Sequence, residues 1–468
     1  MTRALLLLVL VIGACAPTVE PVPAPPSVTI ASPSATRSAS PLAPTPTPIT
    51  TTPVNPTANP FPSLPFFALP SAIAADPAAG TIVFNDRAGS WRYDGTRGAL
   101  APLLAAANIE ALDRHVVTTQ PFVAGYDAGL FDARIAAFLR TLPQETAKSD
   151  SLSVSADGRR VAYVTPQKGL RIAFQQQLGN VDGRALARDR LFNSTLIAPT
   201  GRVIAATGPS LADLSPPGSL PFDRTAGVPR DVWLVDIEIG AARQIYCTFD
   251  PCPAPLRPGG HTLQLLSWSP DERYLLAREP SVASGADFDG TSLFILDPQT
   301  GALTDLGVGQ SFFSWRTWIG PHALAFVIGL GHEQAKRLRV WSAEAGVRDV
   351  TDAAGVAVSP SFGVIDRLVY FVLDGHLATF DPDTNAIRRL PGDAAWIEDA
   401  VRVSDDGTDL LVLRRRVADG QLELWRMSRD ASAMHALVRY SPPLSPEDAA
   451  RYGTDRFAHT FDRLVWSR

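Results

Sequence analysis

Cys247 and Cys252 bracket the loop CTFDPC, where Pro251 and the following Pro253 restrict the backbone. Two thiols so close in an exported chain, which the N-terminus described below indicates, are expected to pair as a local disulfide. A zinc site would need a second Cys or His pair nearby, and the sequence supplies none. The seven histidines, at 115, 261, 322, 332, 376, 435 and 459, lack metal-ligand spacing, so each is expected at a surface or turn. Calcium has a faint outline only. Asp287 and Asp289 precede Gly290, but Gly285 and Leu296 occupy the positions of the first carboxylate and the bidentate Glu, so an exposed acidic turn is expected. No GxSxG elbow, HExxH, P-loop or paired CxxC occurs, and no catalytic residue, metal centre or cofactor is indicated.

The elements that carry these loops are written in a repeated phrase, an apolar run ending in Asp or Ser with Gly or Asn usually four residues later. It is clear at Asp94/Gly98, Asp236/Gly240, Asp297/Gly301 and Asp381/Asn385, and degraded at Asp132/Ala136, Ser342/Gly346 and Ser428/Ser432. The Asp or Ser caps a tight turn and the Gly or Asn accepts left-handed backbone at its exit, so each phrase predicts a hairpin. An eighth hairpin is expected near NVDG, 180–183. A second turn precedes each hairpin: DPAAG at 76–80, SADG at 155–158, APTG at 198–201, SPDE at 269–272 and SDDG at 404–407, each followed by an apolar run such as TIVFN or RVAYV. Weaker versions lie in LDRHVVTT, IGPHALAFVI and VIDRLVYFV. Each repeat thus predicts four antiparallel strands, A to D, with tight A–B and C–D turns. Such units recurring every ~40–55 residues predict a β-propeller.

The run LSWSPDERYLLARE, followed by SLFILDPQTGALTDLG, resembles the repeats of TolB-like (WD-repeat-like) propellers and the propellers of prolyl oligopeptidase-type enzymes. The resemblance covers 68–468 at varying strength. It implies an all-β fold of four-stranded antiparallel blades, eight expected with seven the alternative, and says little of function because the repeat is so widely used. Without a GxSxG elbow, the hydrolase domain of the enzymes is not expected. The segment HTFDRLVWSR is a surplus strand, expected to close the ring by pairing into the first blade beside TIVFN. Trp91, Trp233, Phe294 and Trp425 stand three residues before the capping position, and Trp268, Trp315, Trp396 and Trp466 fall on inner strands. Packing between blades is the role expected of them.

Ahead of the ring, Arg3 and the apolar Ala4–Ile12 form a secretion signal too short to span a bilayer as a permanent helix. Ile12-Gly13-Ala14-Cys15 resembles the lipobox of bacterial lipoproteins, with Ile where Leu is commoner. The resemblance implies a signal peptide over 1–14 and a lipid anchor, palmitate or a similar chain, on Cys15. Ala16 stands where the usual inner-membrane retention signal of a two-membrane cell has Asp. Residues 16–65 hold 15 prolines and only Glu20 and Arg37 as charges, too little to bury for folding. With Cys15 they form a disordered tether over 15–65, reaching on the order of 150 Å in polyproline geometry. The propeller domain is expected over 66–468, on the outer side of the membrane in a bacterial envelope.

A formal net charge of −5 argues against nucleic acid as a partner. Lys148, Lys168 and Lys336 are the only lysines among 42 basic residues, an arginine skew given no functional weight. Loop length separates the two ends of the blades. The long connections 208–230, 279–291, 329–337 and 414–420 are B–C, while 247–262 and 440–456 are D–A, so all six are expected on one face. Ser445 and Pro446 in SPEDAARY predict a short helix in the last of these. Candidates on that face are Phe222, Asp223, Arg224, Phe249, Arg257, His261, Asp287, Asp289, His332 and Glu333. The leading expectation is a monomeric, non-catalytic propeller, held to the membrane by its lipid alone and binding a protein, peptide or glycan. The alternative is a metal-dependent hydrolase, lactonase or lyase with its site at the central channel.

Overall fold

The computed structural model describes residues 69–86, 89–102, 116–119, 122–125, 129–132, 137–140, 151–174, 183–209, 230–280, 290–309, 316–329, 336–350, 358–404, 406–441 and 465–467. Within them the regular structure is β-strand, apart from one short 3-10 turn at Pro77–Ala79. The strands form antiparallel four-stranded modules that follow one another along the chain. Module 1 spans 81–102 and takes a fourth strand from the C-terminus. Module 2 spans 116–140, module 3 151–186, module 4 194–246, module 5 264–309, module 6 316–349, module 7 358–389 and module 8 396–441. Modules 5 and 6 join through the single pair Gly309↔Ile328. The fold is a β-propeller.

Burial along the strands explains the sequence pattern. Second strands such as ALAFVI (Ala323–Ile328) and LVYFVL (Leu368–Leu373) are apolar at consecutive positions because both faces of the sheet are covered by neighbouring modules. Outer strands lose that cover, and Ala386–Arg389 is exposed throughout. The hydrophobic clusters are accordingly shared between modules. One joins Ala162, Ile172 and Phe192 to Ile204, Trp233 and Val235, and another joins Val369 and Phe380 to Val327 and Val340. Trp233, Phe294 and Trp425 all lie in or against such clusters, as expected of packing aromatics. Each fully buried side chain of this size contributes ~1.5–3 kcal/mol.

The hairpins form where the phrases predict them. Asp297 Oδ1 accepts from the backbone N–H of Gln299 at 2.8 Å, and Gly301 follows at φ 74°. At Asp381 the left-handed position is Asn385, φ 60°. A related device appears four times among the described residues: Ser155, Ser269, Ser404 and Ser428 each donate from Oγ to an Asp two residues on, at 2.6–2.7 Å. In the last of these the left-handed residue is Ala431 rather than Ser432, because the serine-led turn is one residue tighter. The expected hairpin near NVDG, 180–183, lies outside the described residues apart from Gly183. VVTT is the first strand of module 2, where the sequence suggests a second.

Closure is double. The C-terminal Val465–Ser467 pairs with Thr81–Val83 in module 1, as expected. In addition Leu69–Ala72 adds a fifth strand to the outer edge of module 8, pairing Leu69↔Ser441 through Ala72↔Val438. DPAAG is therefore no turn within a blade. It links the rim of module 8 to the interior of module 1, with Asp76 capping the 3-10 turn through Ala78 N–H.

Candidate binding face

At one end of the modules lie the A–B and C–D turns, and there the modules are tied to each other. Arginines on outer strands donate to carbonyls of the next module's C–D hairpin: Arg184 to Ile237 and Glu238, Arg243 to Pro298, and Arg348 to Pro382. His322 meets Asp271 at 3.1 Å, and Arg429 meets Asp366 at 3.1 Å, again across module boundaries. A guanidinium presents several donors in a fixed fork, which suits carbonyls at a hairpin tip. Part of the arginine skew thus has a structural role.

At the opposite end the connections are of another kind. The D–A segment after Tyr246 is tied by the Cys247–Cys252 disulfide, with S–S 2.10 Å. Buried Asp231 accepts from Thr248 N–H at 2.8 Å and Gln244 Nε2 at 2.9 Å, fixing the start of the segment. Gly259 and Gly260 donate to the carbonyls of Cys247 and Thr248. Gly259 lies flat against the Tyr246 ring, where any side chain would collide. The Tyr246 hydroxyl donates to the His261 carbonyl at 2.7 Å, and burial pushes its pKa up to about 12. The segment does not stay on the loop face. It folds down the rim until Leu256 packs near Gly301, on the C–D hairpin of module 5.

The fold of this segment leaves a cavity of about 570 Å³ between modules 4 and 5. Ile245, Leu256, Pro258 and Leu303 supply apolar wall, and Arg257, His261 and Asp305 supply polar groups. His261 Nδ1 lies 2.9 Å from Glu279 Oε1, so the carboxylate holds the hydrogen on that nitrogen. Of the sequence candidates, Arg257 and His261 line the cavity, while Phe249 stands outside it, 43% exposed. Phe222, Asp223, Arg224, Asp287, Asp289, His332 and Glu333 lie outside the described residues, as do Cys15 and the segment SPEDAARY.

A second polar assembly on this face belongs to module 8. Its first strand bulges between Glu398 and Ala400, burying the consecutive carboxylates Glu398 and Asp399. Arg414 Nε is 3.2 Å from Glu398 Oε1, and its guanidinium carbon lies 5.1 and 4.9 Å from the ring centres of Trp396 and Trp425. Arg415 pairs with Asp399 at 3.2 Å, and His376 Nδ1 stands 3.5 Å from Glu398 Oε2. Burial pushes both carboxyls above the ordinary range, with Arg414 and His376 pulling Glu398 back and Arg415 pulling Asp399 back. Adjacent acids on an inner strand, facing the run Arg414-Arg415-Arg416, are the sequence signal of this assembly. Among the described residues no group of three or more His, Cys, Asp or Glu gathers where it could hold a metal ion.

No protein-family model matches the chain, and no curated protein matches it. Solved structures show similarity of fold. Dihydro-heme d1 dehydrogenase NirN in complex with DHE is 15% identical, with TM-score 0.46, over 80% of this chain and 76% of that one. The β-propeller domain of the Trilobed protease from Pyrococcus furiosus is 12% identical, with TM-score 0.35, over 80% and 100%. The Cps50 (Swd1) β-propeller domain of Myceliophteria thermophila is 12% identical, with TM-score 0.34, over 80% and 99%.

Proposed function

We propose that this protein is a lipid-anchored, extracytoplasmic propeller of a bacterial envelope that binds a partner through its B–C and D–A face. One observation carries the reading. The turn face is occupied by ties between modules, from Arg184 on module 3 to Arg429 on module 8, whereas the opposite end bears the long connections and the disulfide-tied segment. A surface committed to holding a ring together has little freedom to bind, and elaborated loops on a rigid scaffold have much. The signal, Cys15 and the Pro-rich tether support the anchor, and the eight modules support an eight-bladed ring.

The test is site-specific photocrosslinking of the full-length protein in its own envelope. Probes at Phe249 and Val417, both exposed at the loop face, are expected to capture the same partner. A probe at Ile239, 77% exposed at the turn face, is expected to capture none. Capture from Ile239 alone would reverse the assignment of faces.

A further inference from the structure

Apart from the loop face, we propose that the cavity on the rim between modules 4 and 5, which reaches the C–D hairpin of module 5 at Thr300 and Gly301, binds a short peptide through a carboxylate on an apolar stem, with Arg257 as the anion receptor. Arg257 lines the cavity and, among the described residues, makes no hydrogen bond, ion pair or ring contact. Arginines elsewhere on modules 4 to 6 are committed: Arg243 to Pro298, Arg278 to Gln264 and Arg339 to Asp349. A free guanidinium at a concave site matches a carboxylate in two parallel hydrogen bonds. The apolar walls, Ile245, Leu256, Pro258 and Leu303, suit an aliphatic stem, and the volume is that of a small-ligand site.

Peptide is favoured over sugar and over fatty acid by two features. Tyr246 and Phe294 contribute to the lining but are themselves buried, so no open ring face is offered for a sugar to stack on. Asp305, an exposed lining residue, accepts from Gly307 N–H at 2.7 Å through Oδ1 and keeps Oδ2 as an acceptor that a peptide N–H can satisfy and an acyl chain cannot. The walls are also set before binding, since the disulfide, the Asp231 bonds and the Gly259 and Gly260 bonds fix the segment carrying Arg257. Preorganisation of this kind lowers the ordering cost of binding.

Calorimetric titration of the full-length protein in detergent tests this with N-acetyl-Ala-Pro-Leu as free acid, the same peptide as C-terminal amide, and octanoate. The free acid is expected to bind at least about tenfold more tightly than the amide, in line with a charge-assisted hydrogen bond. Arg257→Glu should remove that preference, and Leu256→Trp, which fills the cavity, should abolish binding. Both sites are at least partly exposed, so the melting temperature of each variant is the control for folding. Equal binding of acid and amide, or indifference to Arg257→Glu, would overturn the proposal. Octanoate binding as well as the peptide acid would overturn the peptide assignment. If no probe binds, the cavity is not the site, while crosslinks from Phe249 and Val417 still decide the face on their own.

Discussion

The indole Nε1 of Trp466 donates to the carbonyl of Ala79 at 2.7 Å, joining residues 387 positions apart. Trp466 is fully buried in the cluster that also holds Phe84, Tyr93, Leu424 and Tyr440, so the last strand completes the core between modules 1 and 8. Trp466→Phe leaves the Ala79 carbonyl without this donor and shrinks a filled site. A loss of about 2 kcal/mol is expected. Calorimetry should show one transition of the whole propeller moving down. A separate early transition with the main one unmoved would mean that closure is local.

Arg426 bridges two acids, Asp76 at 2.5 Å and Asp409 at 2.7 Å, all three largely buried. Arg426→Met strips both carboxylates of their cation and is expected to cost about 3–5 kcal/mol at neutral pH. Urea denaturation measures it. A cost below about 1 kcal/mol would show that the bridge is not what holds this seam.

Asp399 gives a pH dependence of opposite sense to that of an ordinary paired acid. Its folded pKa is raised by burial, so the folded state holds this proton more tightly than the unfolded chain does. Its contribution to stability is complete below the ordinary Asp value near 4 and is lost as pH rises through the raised value. Relative to Asp399→Asn, the wild type is therefore expected to lose melting temperature as pH rises from about 4. A difference that stays constant or grows in the other direction would contradict the assignment.

Replacing Cys247 and Cys252 by serine opens a short covalent loop, for which chain entropy suggests roughly 2 kcal/mol. The propeller should still melt as one unit. Protease sensitivity between 248 and 260 is expected to rise more than the global loss of stability explains, and unchanged cleavage there would show that the Asp231 and Gly259 bonds suffice.

Cys15→Ser is expected to release the protein from the membrane fraction and to leave the precursor unprocessed. Fractionation and gel mobility read both effects. Retention of the variant in the membrane would remove the lipobox reading.

The repeat was legible because a hairpin is a local event: Asp297 and Gly301 meet within five residues, and the chain carries the whole instruction. The disulfide was legible for the same reason. The N-terminal strand was not, since Leu69–Ala72 reads LPSA, with a proline and no β-branched residue. Proline is tolerated at an outer edge, where an N–H can be dispensed with, so a real strand escaped the pattern. The arginine ties were hidden because Arg184 reaches a hairpin 53 residues away. Loop length drew attention to the 247–262 segment, where Arg257 and His261 line one cavity. Composition could not show that this segment turns down the rim.

The placement of Leu69 opposite Ser441 also sets how the propeller bears mechanical load. A pull on the preceding chain, directed away from the loop face, runs along the added strand, not across it. The four residue pairs from Leu69↔Ser441 to Ala72↔Val438 are then strained together in shear, and none can be unzipped before the next. Behind them Arg426 clamps Asp76, and the Tyr93 hydroxyl holds the Ala74 carbonyl at 2.6 Å. The tension reaches modules 1 and 8 at their shared core, so the seam of the ring is where the molecule resists traction.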